Sequence, residues 1–282
     1  MTAASSFRRL ASAAFAALAS CAAPAGTVAI SVDLQLDNID YVAGERIRAV
    51  IDVANSSPDR IAVGYGDSTD RLFVEVFRSE GMVELDRVGK RSFTARFNVD
   101  ANEGQKLETF LGDHFALRTP GKYLAKPVLV HGGRRYEGQL RAFGIVPGMK
   151  VASALQMFSN REGLRREFEI RAWSRRNTEH LFLVAYDEGA GANQWATTDL
   201  GPLMRLKKPT ISILPTGEVI VLHCCDRHRF CRSVFWSMPD ALELHKRELV
   251  MDPDSAGSER IKELYRESGG VKPVSRPWWK IW

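Results

Sequence analysis

From residue 28 onward, apolar side chains recur at every second position. Val28, Ile30, Val32, Leu34 and Leu36 alternate with small or polar residues, and Ile47, Ala49, Ile51 and Val53 repeat the pattern with Arg46, Arg48 and Asp52 between them. A period of two lines one face of an extended strand, so it selects β-structure with one side buried. Asn38 to Gly44 and Asn55-Ser56-Ser57-Pro58 supply the turns that separate these strands. Further strands are expected over 72–78, 82–88, 91–98 and 107–111, then along a long run to His131 that turns at Gly132-Gly133 and returns over 136–146. Beyond Pro147-Gly148 the same signal resumes over 151–158, 167–174, 180–186, 210–214, 218–225 and 230–238. The 282 residues suffice for one large domain or two of medium size. No fixed-period repeat occurs, which argues against a propeller.

The first 25 residues differ from the rest. Arg8 and Arg9 precede an alanine-rich apolar run from Leu10 to Leu18, followed by small residues and no acidic one. This is the layout of a secretory signal. Leu18-Ala19-Ser20-Cys21 resembles the lipobox of bacterial lipoproteins, and that resemblance implies cleavage before Cys21 and a diacylglycerol on its sulfur. Ala23-Pro24-Ala25 offers an alternative small-x-small site, and the paired arginines give a weak match to a twin-arginine signal. No later stretch approaches the ~20 apolar residues of a membrane span.

Two short motifs in the first β region carry a second resemblance. Leu117-Arg118-Thr119-Pro120-Gly121-Lys122-Tyr123 resembles the L-x-x-P-G-x-Y stretch of immunoglobulin-like domains in exported bacterial proteins, and Tyr41-Val42-Ala43-Gly44-Glu45 resembles their early Y-x-x-G-E turn. The resemblance spans roughly residues 27–146 and implies a sandwich in which Tyr123 packs on the core and caps backbone with its hydroxyl. It implies architecture, not activity. The expected fold is therefore mostly β: a leader over 1–25, an N-terminal Ig-like antiparallel β-sandwich over 27–146, a second antiparallel β domain over 149–252, and a short helix near 258–265 with an aromatic tail over 253–282.

The densest chemistry lies in His223-Cys224-Cys225-Asp226-Arg227-His228-Arg229-Phe230-Cys231. A hairpin that pairs Cys225 with Phe230 would set Cys224 opposite Cys231, close enough for a disulfide in an oxidising compartment. Reduced cysteines that pack in the second core are one alternative, and a metal site from His223, Cys225, His228 and Cys231 is another, against which the spacing argues. Gly189-Ala190-Gly191 reads as a turn, and Asp67 with Asp70 as a solvated loop. There is no G-x-S-x-G, G-x-G-x-x-G or P-loop, and no cofactor is expected. The formal charge is +5, of which the leader arginines supply two, leaving +3. The arginine pairs at 134–135, 165–166 and 175–176 and the lysines at 207–208 read as solvated surface, so nucleic acid is not an expected partner. Trp173 and Trp236 sit in strand patterns and are expected in the core. Trp278, Trp279 and Trp282 are expected to fold back onto a groove of the same chain, with contact to a partner or the membrane interface as the alternative.

These features point to an envelope protein held to the membrane through Cys21, a non-catalytic module that binds an envelope protein or glycan. The alternatives are an envelope hydrolase with its site between the two β domains, and a metal or redox protein built on the cysteine cluster.

Overall fold

A computed structural model describes residues 30–65, 69–88, 96–158, 163–189 and 195–251. It is almost entirely β, in two units that meet at Pro147-Gly148.

The N-terminal unit runs β1 (Ile30–Leu36), β2 (Asp40–Val42), β3 (Arg48–Asn55), β4 (Ile61–Val63), β5 (Arg71–Arg78), β6 (Val83–Glu84), β7 (Phe97–Val99), β8 (Glu103–Phe110), β9 (Gly121–His131), β10 (Arg134–Glu137) and β11 (Arg141–Val146). One sheet has the order β1-β3-β8, and a second β2-β11-β9-β5-β6 with β10 paired to β9. They face each other across one core. The alternating residues Ile30, Val32, Leu34, Ala49, Ile51 and Val53 meet Leu72, Val74, Val76, Tyr123, Ala125 and Phe143 there. Strands β4 and β7 form a small third sheet. All pairings in this unit are antiparallel except β2 with β11, which is parallel.

The expected return strand over 136–146 is divided. Both β10 and β11 pair with β9, at Val128–His131 and Gly121–Ala125 respectively. Between them the Gly138 N–H bonds to the Pro127 carbonyl at 2.9 Å, and a Cβ at Gly138 would overlap the Val32 carbonyl. Only glycine allows that close approach. Likewise the expected strand over 82–88 shrinks to two residues after a 3₁₀ turn at Glu80–Met82, and most of 91–98 lies outside the described residues.

The C-terminal unit is two four-stranded meanders. Strands β12 (Met149–Met157), β13 (Arg165–Arg175), β14 (Thr178–Glu188) and β15 (Trp195–Pro202) form one. Strands β16 (Thr210–Ile213), β17 (Glu218–Cys224), β18 (Arg229–Met238) and β19 (Ala241–Met251) form the other. Phe168, Ile170, Leu181 and Leu183 of the first pack on Val219, Val221 and Phe235 of the second. Both Arg176 and Asn177 have positive φ (44° and 69°), as a two-residue type I′ hairpin turn requires. Sequence periodicity missed β15 and β19. The first mixes Thr, Asp and Gly, and the second is dense in charge, so neither shows clean alternation. The helix expected near 258–265 lies outside the described residues, as do the leader and the terminal tryptophans. No helix of the described residues is long and apolar enough to cross a membrane.

Candidate functional site

The most elaborate arrangement of polar groups sits where the two units meet, and Tyr41-Val42-Ala43-Gly44-Glu45 builds half of it. Tyr41 is fully buried, accepts the Asn38 N–H at 2.9 Å and donates its hydroxyl to Asp37 at 2.6 Å. Burial, followed by the bond to Asp37, pushes its phenol pKa well up. Gly44 turns the chain with φ +78°, and a Cβ there would overlap the Trp195 indole. That absence of a side chain lets β15 seat on the turn. The Trp195 Nε1–H and the Thr197 hydroxyl both donate to the Ala43 carbonyl, at 3.2 and 2.7 Å. Glu45 and Thr197 form an isolated β-bridge.

Charge closes the junction. The Glu45 carboxylate accepts the Val42 N–H at 3.0 Å and a guanidinium N–H of Arg175. Arg175 also reaches Asp199 at 3.1 Å, and Asp199 meets His180 Nδ1 at 3.0 Å and the Gly201 N–H at 2.7 Å. Only about a tenth of the Arg175 and Glu45 side chains is exposed. Burial pushes the Glu45 pKa above the usual carboxylate range, against the pull of Arg175. The Arg175 guanidinium lies 4.7 Å from the Phe182 ring centroid. Around the cluster, Val42, Phe182 and Val184 are buried with Val146, Trp173 and Tyr186 against them. Glu45 and Asp199 are each engaged by Arg175 and by a backbone N–H, while Arg175 Nε and Trp173 Nε1 have no hydrogen-bond partner among the described residues. This chemistry fixes geometry, because both carboxylates are held from two sides.

In the sequence only the Tyr41–Glu45 half of this site stands out, as a turn and not as a charged cluster. Glu45 and Arg175 are 130 residues apart, and Arg175-Arg176 reads as a solvated pair. Half of that reading is corrected: Arg176 is exposed, whereas only 10% of the Arg175 side chain is. Arg166 is a stronger correction. Its side chain is fully buried and binds Asp187 in a two-pronged contact at 2.5 and 3.0 Å. It also donates to the carbonyls of Met238, Pro239 and Ala241. Trp173 packs in the junction, but Trp236, expected in the core, is 39% exposed beside His245.

The cysteine hairpin differs by one residue from the expected register. Cys224 faces Phe230, and His223 faces Cys231. The Cys225 N–H bonds to the Arg229 carbonyl at 3.0 Å, which shortens the loop and shifts every pair. Neighbours on a strand point to opposite faces, so Cys224 and Cys231 no longer oppose each other. Cys224, Cys225 and Cys231 form no disulfide among the described residues. Nor do three or more His, Cys, Asp or Glu side chains there gather to hold a metal ion. His228 is exposed in the loop. His223 is buried, and neither ring nitrogen makes a hydrogen bond of good geometry among the described residues. Burial pushes its pKa down to about 4, with the Pro202 carbonyl offsetting part of the effect.

A groove of about 500 Å³ runs between β1 and β10, lined by Ser31, Asp33, Arg135, Tyr136, Gln139 and Arg141. Its charges are matched from within: Arg141 grips Asp33 at 2.7 and 2.9 Å, and Arg135 binds Glu75 at 2.7 Å and Glu137.

No protein-family model and no curated protein matches the chain. Among solved structures it is similar to the sporulation control protein Spo0M from Bacillus subtilis, with a TM-score of 0.29 and 12% identity over 85% of this chain and 97% of that one.

Proposed function

We propose that this is an exported, lipid-anchored, non-catalytic module of the cell envelope. In this reading an N-terminal Ig-like β-sandwich and a second β domain form one rigid body that binds an envelope protein or glycan. The junction carries the reading. Gly44, Trp195, Thr197, Glu45 and Arg175 bind the two units through interlocking apolar, hydrogen-bonded and ionic contacts. Their acids and bases are turned toward each other, an arrangement suited to holding two binding surfaces in fixed relation. Anchoring is supported by the leader, whose cysteine directly follows the apolar run.

Intact mass of the protein extracted from membranes tests the anchor. A chain starting at Cys21 and carrying acyl groups is expected. A chain starting at Gly26 without them overturns it. Co-sedimentation with purified cell-wall glycan and capture from envelope extract, with and without Trp195→Ala, test the binding role. Retention should drop when the junction is loosened, and retention that ignores the junction would remove its part in the function.

A further inference from the structure

One end of the C-terminal unit gathers cations from two loops. The link from β15 to β16 reads Leu203-Met204-Arg205-Leu206-Lys207-Lys208-Pro209, and the hairpin turn from β17 to β18 reads Cys225-Asp226-Arg227-His228-Arg229. Backbone bonds hold the two side by side. The Met204 N–H donates to the Cys224 carbonyl at 2.8 Å, and the Leu203 N–H to the Glu179 carbonyl at 2.7 Å. The Lys207 ammonium lies 5.3 Å from the Phe230 ring centroid. Phe230 packs in turn with Leu222 and Cys224, so the link is seated on a buried apolar patch.

The formal charge here is one-sided. The two loops carry Arg205, Lys207, Lys208, Arg227 and Arg229 against one acid, Asp226. Asp226 binds Arg229, and Glu179 of β14 binds Arg205 at 2.5 Å. Counting both acids leaves 5 − 2 = +3. By contrast, Arg48, Arg141 and Arg165 each face a carboxylate of their own, on Glu108, Asp33 and Glu188. Apolar side chains stand among the cations in contact with water: Leu206 is 62% exposed and Met204 36%. Arg205, Lys208, Arg227, His228 and Arg229 are exposed beside them. Neither loop contains Phe, Tyr or Trp.

We infer that this end of the unit docks on the surface of an anionic lipid membrane. The cations meet the lipid headgroups, and Leu206 and Met204 enter the boundary between headgroups and acyl chains. Net positive charge draws the loops to an anionic leaflet. The long stems of Lys208 and Arg227 keep their charged heads among the phosphates while aliphatic neighbours reach deeper. Two firmly seated loops present these groups together, so little order has to be gained on docking. A nucleic acid would engage the same cations, but it binds in single-stranded form by stacking bases on aromatic rings, and it gives Leu206 and Met204 no apolar cover. The inference does not depend on a lipid at Cys21, because the contact is made by side chains of the folded unit.

Co-sedimentation with vesicles tests this on the full chain carrying Cys21→Ser, which has no sulfur to acylate. The leader is common to every variant, so differences between variants report the loops. The parent should bind vesicles of phosphatidylglycerol and phosphatidylcholine more tightly than vesicles of phosphatidylcholine alone, and added salt should weaken the binding. Lys208→Glu with Arg227→Glu reverses one charge on each loop and should weaken binding to the anionic vesicles by about tenfold or more. Lys208→Arg with Arg227→Lys should leave it unchanged. Leu206→Ser, at constant charge, should weaken it several-fold. All three positions are exposed, and an unchanged unfolding midpoint confirms that the variants fold. Equal binding to both kinds of vesicle overturns the inference, as does indifference to the charge reversal. So does a Leu206→Ser variant that binds the vesicles as tightly as the parent, or a parent that binds duplex RNA or polyglutamate more tightly than the anionic vesicles.

Discussion

Two residues set conditions that their neighbours must obey. Gly44 occupies a left-handed conformation and has no room for a methyl group against Trp195. Gly44→Ala therefore suffers both backbone strain and overlap, and should lower stability by about 3 kcal/mol in urea unfolding. On a Trp195→Ala background the indole overlap is gone and only the tight approach of Thr197 Oγ1 at 2.9 Å remains, so the same substitution should cost little more than the conformational part, about 1–2 kcal/mol, a non-additivity that a double-mutant cycle reads directly. His223 is buried with its pKa depressed to about 4 from the ordinary 6.5. The unfolded chain takes up that proton first. Its stabilising contribution is thus complete above about pH 6.5 and is lost as pH falls toward 4, at most about 3 kcal/mol. Unfolding free energy measured across that window should slope downward with acid, and His223→Leu should flatten the slope.

At the scale of elements, Arg166 and Asp187 join the end of the β13–β14 pair to the turn between β18 and β19. The guanidinium is wholly enclosed, with Asp187 on one side and the Met238, Pro239 and Ala241 carbonyls on the other. Arg166→Met would leave Asp187 buried without its cation. That should cost about 3–5 kcal/mol. Removing the stranded carboxylate as well, with Asp187→Leu, should recover much of the loss, because an apolar pair of similar volume has no charge to desolvate. Urea unfolding of the two variants separates this from simple loss of packing, in which the double variant would be the worse.

For the whole molecule, the junction determines whether two β units behave as one. Its contacts combine Trp195 and Thr197 on the Ala43 carbonyl with the buried Glu45–Arg175 pair. The wild type should unfold in a single transition in which fluorescence and circular dichroism coincide. Trp195→Ala combined with Thr197→Val removes both donors to Ala43 and should split unfolding into two steps, one for each unit, in a calorimetric scan. One undivided transition in that variant would mean that the ionic cluster alone couples them.

Period two in the chain was enough to determine β-structure and most strands, since Ile30 to Leu36 and Arg48 to Asn55 write their buried faces into local alternation. The L-x-x-P-G-x-Y resemblance, rather than the period, implied the place of Tyr123, whose hydroxyl donates to the Thr119 carbonyl at 2.7 Å and whose ring stacks on Phe143. The tertiary structure alone decided which charges are buried. Arg175 and Arg176 are neighbours in a turn, yet Glu45 and Asp199 arrive only when β15 docks, so one is enclosed and the other is solvated. It also decided the cysteine register, because one hydrogen bond from Cys225 to Arg229 changes the face on which every later side chain lies. Local pattern reports what a residue prefers to face. Long-range contact determines what it meets there, and burial of a charge is settled by the partner.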